Sequence, residues 1–180
     1  MFKTLLKKKL SEDKLANVFV NSLIQSVDDA FPDVAALIND DPHFETRPNI
    51  CASDSEKFLL IVFAGNLKYI PNHFEAYQDM RLMDAIYRKI AVALSIELVA
   101  AKWLIGQYQN FCSRMNHPSK NTLYAMSKGV FHKYELYEFQ EEFFKNMRTP
   151  HPTFLKRLDE IMVNFIFDWE SYLDKYKVVE

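Results

Sequence analysis

The chain has 180 residues, 49% of them apolar and 26% charged, with a formal charge of −2. That is enough for a sizeable core, and the balance is that of a soluble globular protein. The charge excludes a general attraction to nucleic acid, and no basic stripe interleaved with stacking aromatics appears. Aromatics are high at 14%, so large flat side chains will dominate the packing.

Helix signals run along the whole chain and strand signals are nearly absent. There are three glycines and no Asn-Gly or Asp-Gly turn, so seven prolines do the punctuation. At the N-terminus, Phe2, Leu5, Leu6 and Leu10 share one helical face opposite four lysines. This predicts a short docking helix, with a surface-membrane anchor as the alternative. No run there is long enough for a signal peptide. Ser11 is the expected N-cap of a helix reaching Phe31, with Leu15, Phe19, Val20, Leu23, Val27 and Ala30 inward. Pro32 suits the first position of a second, short helix over 33–40. Residues 39–53 are polar and aperiodic and predict a long loop.

The stretch FLLIVFAGNLKYIPNHF, residues 58–74, is the most apolar in the chain. Ser53 and Glu56 before it have capping-box spacing, and Pro71 disfavours helix at Ile70. The expected element is a helix over 54–70. Its unbroken apolar run is far shorter than the roughly 20 residues of a transmembrane span. Apolar residues all round it predict a central, buried helix, with Gly65 admitting a close neighbour.

A helix from Asn72 is expected to break near Met80. A second part over 82–111 places Ile86, Ile90, Ala93, Leu94, Ala101, Leu104 and Tyr108 inward. Further helices are expected over 120–147 and 152–176. The last carries Phe154, Leu158, Ile161, Met162, Phe165 and Trp169 on one face. The fold class is therefore all-α: an irregular bundle of six to seven helices in one domain around the 54–70 helix.

No nucleotide-binding loop, nucleophile elbow or metalloprotease helix motif is present. The paired Glu-x-x-His pattern of a di-iron bundle is absent too. Two acids fall on apolar faces. Glu97 lies among Ile90, Ala93, Ala101 and Leu104, and Glu141 between Tyr134, Tyr137 and Phe144. A buried carboxylate needs a partner. Glu97, Glu141, Tyr134 and Tyr137 therefore form the candidate ligand-binding set, the plain alternative being a structural pair that fixes helix register. In the 39–53 loop, His43, Arg47 and Cys51 are candidates beside Asp40 and Asp41. The two cysteines, Cys51 and Cys112, have neither disulfide nor zinc spacing and predict free thiols in the cytoplasm.

No cofactor or metal is expected. The sequence reads as a non-catalytic module that binds another protein or itself, a homodimer through Val163 and Phe167 being one form. The alternatives are a bundle enclosing an apolar or aromatic ligand, and a metal-dependent enzyme using Glu97, Glu141 and a histidine.

Overall fold

In the computed structural model, which describes residues 7–180, the chain is mostly helical, with two short strands and irregular connections. The order is β1 (Lys8–Ser11), α1 (Glu12–Asn39), α2 (Glu56–Leu67), α3 (Ala76–Ala93), α4 (Leu98–Asn116), α5 (Thr122–Lys133), α6 (Glu142–Met147), α7 (Pro152–Met162), α8 (Trp169–Lys175) and β2 (Tyr176–Val179). Single 3₁₀ turns cover Ile70–Asn72, Leu136–Phe139 and Val163–Phe165.

The all-α expectation holds, and α2 sits where a central helix was expected. Phe58 and every residue from Leu60 to Leu67 are buried. Its Gly65 faces Met126 of α5, whose thioether already fills the space that a Cβ would need. The start of α2 differs from the capping-box reading. The helix begins at Glu56, and Ser55 makes no side-chain cap. Tyr134, at the end of α5, does that work from outside. Its hydroxyl accepts from Phe58 N at 3.2 Å and donates to the Asp54 carbonyl.

Four expected boundaries are corrected. Pro32 does not divide α1, which runs on to Asn39. Pro32 lies on the exposed side, so the missing hydrogen bond faces water, while Val34, Ala35 and Ile38 beyond it gain burial. The expected break near Met80 is absent, and the chain turns at 94–97 instead. There Ser95 adopts φ 54°. Ile96 N bonds Ala91 O at 3.0 Å and Ser95 N bonds Val92 O at 3.1 Å, the two bonds of a Schellman stop.

The helix expected over 120–147 ends at Lys133 because Glu135 takes φ 53°; a 3₁₀ turn and α6 follow. The helix expected over 152–176 ends at Met162. Asn66 of α2 holds the chain after it: Nδ2 donates to Phe165 O and Oδ1 accepts from Phe167 N, both at 2.8 Å. α8 then restarts from Asp168, whose carboxylate accepts from Ser171 N at 3.0 Å.

Where a docking helix was expected, residues 8–11 form a strand, and the rest of that expectation lies outside the described residues. β1 pairs parallel with β2, Lys8 opposite Tyr176 and Ser11 opposite Val179. Glu12, at the start of α1, is buried and accepts two bonds from Arg81 of α3 at 3.0 and 2.8 Å. Arg81 also reaches Glu180, so one guanidinium ties both ends of the described chain to α3.

Candidate functional site

The interior polar centre expected from Glu97 and Glu141 does not form. Glu97 is exposed and precedes the first turn of α4; Glu141 is exposed and precedes the first turn of α6. Both misplacements have one cause. The inward phase of each acid requires a helix that continues through it, and each lies at a break where the periodicity restarts. Tyr134 and Tyr137 stay half-buried but serve packing. Tyr134 caps α2, and burial pushes its phenol far above the ordinary range. Tyr137 lies under the Arg148 guanidinium, 5.1 Å from its ring centre.

The 39–53 segment is irregular, as expected, and is fastened to a distant part of the chain. The Asp41 carboxylate is fully buried. It accepts from His43 N at 2.9 Å, meets His43 Nδ1 at 2.8 Å and pairs with Arg157 of α7. The His43 ring stacks on His151 with centres 4.0 Å apart. His151 Nδ1 accepts from Thr153 N at 3.2 Å. Glu45 N donates to Phe139 O at 2.8 Å, and Asn39 exchanges two bonds with Ile50.

With Nδ1 donating to the carboxylate, a neutral His43 presents Nε2 as an acceptor, while His151, accepting at Nδ1, carries its proton on Nε2. These rings line a cleft of about 200 Å³ with Pro42, Phe44, Glu45 and Glu141. Arg47 and Cys51 do not line it. Arg47 pairs with Asp40 at 3.2 Å, and Cys51 is an exposed free thiol. Cys112 is the other free thiol, and burial pushes it up to about 11. Among the described residues no group of three His, Cys, Asp or Glu side chains converges as metal ligands. The sequence could not reveal His151 or Arg157 here, because only the fold brings α7 to the loop.

Exposed apolar side chains lie elsewhere, at Tyr77 and Met80 of α3 as well as along α4. Val92, at the end of α3, is 78% exposed; on α4, Val99 is 79% and Trp103 65% exposed. Val99, Trp103 and Gly106 have i, i+4, i+7 spacing and share one side of α4. Ala101, Ile105, Tyr108 and Cys112 are the buried ones, on the other side. The three glycines separate in the same way. A Cβ at Gly65 would strike Met126, and one at Gly129 would come 2.5 Å from Cys112 Sγ. At Gly106 nothing lies within 4 Å.

In the sequence the seam shows as large apolar residues at helical spacing opposite the inward stripe. The dimer surface expected from Val163 and Phe167 is corrected. Val163 is exposed, but Phe167 is buried among Phe19, Trp169 and Tyr172, with ring centres 4.7–5.2 Å away. Among the described residues no single helix is long and apolar enough to cross a membrane. α3 and α4 pass that length and composition test only together, with 102° between them. No protein-family model matches this chain, and no curated protein or solved structure matches it.

Proposed function

We propose that this chain is a non-catalytic binding module that docks a helix of another protein along the outer seam of α4. The observation that carries the reading is the combination of Trp103 and Val99 with Gly106, whose outer side is open. A glycine beside an exposed tryptophan leaves a step into which a partner backbone fits closely. Tryptophan contributes more than most residues to interface energy. Spacing of four and three residues along the seam matches the ridge of a packed helix.

The charges beside the seam favour a protein over an anionic lipid surface. Lys102, next to Trp103, is paired with Asp84 at 2.6 Å. It is not left free to meet phosphate headgroups.

A photo-crosslinking residue in place of Lys102 tests the reading in the producing cell, with the same residue at Val163 as the control. The expected result is a discrete heterologous adduct from position 102 alone, lost when Val99→Asp is added. Adducts to lipid, adducts of doubled chain mass only, or equal capture from both positions contradict it.

A further inference from the structure

The α4 seam continues past Gly106. Asn110 and Arg114 lie seven and eleven residues beyond Trp103, which returns them to its side of the helix, and both are exposed. The seam therefore has two halves, an apolar one at Val99 and Trp103 and a polar one at Asn110 and Arg114.

A charge of opposite sign stands at each end. Glu97, immediately before α4, is exposed and makes no side-chain cap, and Arg114 lies in the last turn. Among the described residues neither is held in an ion pair. At the helical rise per residue they stand about 26 Å apart along the axis.

In any helix the partial positive charge of the first turn favours acidic side chains, and the partial negative charge of the last turn favours basic ones. α4 follows that rule. A second helix that follows it matches α4 only when the two run in opposite directions. Its acids then meet Arg114, its bases meet Glu97, and the two dipoles oppose. Run parallel, each pole and each end charge would meet its like.

A second copy of this chain is a poor match. If Glu97 of each copy meets Arg114 of the other, Val99 and Trp103 fall opposite the polar half, around Gln107, Asn110 and Ser113. If the apolar halves are placed together instead, the end charges no longer meet. A different chain can satisfy both.

We infer that the partner helix runs antiparallel to α4 and carries, from its own start, an acidic turn, a polar stretch, an apolar pair and a basic turn. This rests on the α4 seam being the docking surface. The acidic turn sits at Arg114. The apolar pair follows about three turns later, against Trp103 and Val99, beside the step at Gly106.

Photo-crosslinking residues placed singly at Ala100 and at Asn110, both exposed, test the direction in the intact producing cell, with the captured peptides sequenced. One partner helix is expected from both positions, its site for 110 lying about ten residues before its site for 100. Asp or Glu should precede the first site by about a turn, and Lys or Arg should follow the second. Arg114→Glu should cut capture from position 110 about fivefold or more, while Arg114→Lys should leave it within about twofold. The reverse order of the two sites, or capture indifferent to Arg114→Glu, overturns the antiparallel inference and leaves the seam as the docking surface. No adduct from either position, unrelated chains from the two, or adducts between copies of this chain overturn both.

Discussion

α2 and α4 pack against each other and yet differ in what their apolar residues touch. In α2, Leu60 through Leu67 all face protein. Burying one such aliphatic or phenylalanine side chain stabilises by roughly 1.5–3 kcal/mol, so folding explains those residues. Val99 and Trp103 of α4 gain little of this, being 79% and 65% exposed. Single exposed apolar residues are ordinary. A spaced set ending in a glycine with open space beside it is not explained by the fold. The comparison shows that apolar content alone does not locate a core; the neighbour on the far side decides.

The largest expected effect sets the two helices apart. Phe63→Ala should destabilise by about 3–5 kcal/mol, while Trp103→Ala should stay within about 0.5 kcal/mol. Chemical denaturation measures both, and similar losses from the two would break the comparison. Asn66→Ala, in the interior of α2, should cost about 2–4 kcal/mol, because Phe165 O and Phe167 N lose their buried partner. Amide exchange at Phe167 should rise with it; an unchanged rate would show that other contacts hold this segment.

Tyr134→Phe removes only the hydroxyl that caps α2 and should cost about 1–2 kcal/mol. A neutral result would mean that water replaces that cap without loss. The smallest effect has the opposite sign. Ser95→Gly should stabilise by about 0.5–1 kcal/mol, since glycine occupies the left-handed region without strain. A loss of stability there would mean that the serine side chain holds the α3–α4 corner.

The central helix, the buried stripe of α1 and the irregular 39–53 segment were legible because each follows from local periodicity or its absence. The helix stops were not. The familiar stop signal is glycine, and this chain uses Ser95, Glu135 and Arg148 in left-handed conformation, at φ 54°, 53° and 48°. The phase of Glu97 and Glu141 resets at those stops, so the polar centre that an unbroken periodicity implies does not form. The cap of α2 by Tyr134 and the pairing of Asp41 with Arg157 are long-range contacts. No local pattern encodes them. Two parallel strands of four residues each are too short to show alternation.

The most direct test of the account is hydroxyl-radical footprinting of Trp103, in the dilute purified chain and in the intact producing cell. The account predicts strong oxidation of Trp103 in the purified chain, little at buried Trp169, and protection of Trp103 in the cell. Equal oxidation of Trp103 in both settings, or protection already present in the dilute chain, would contradict it.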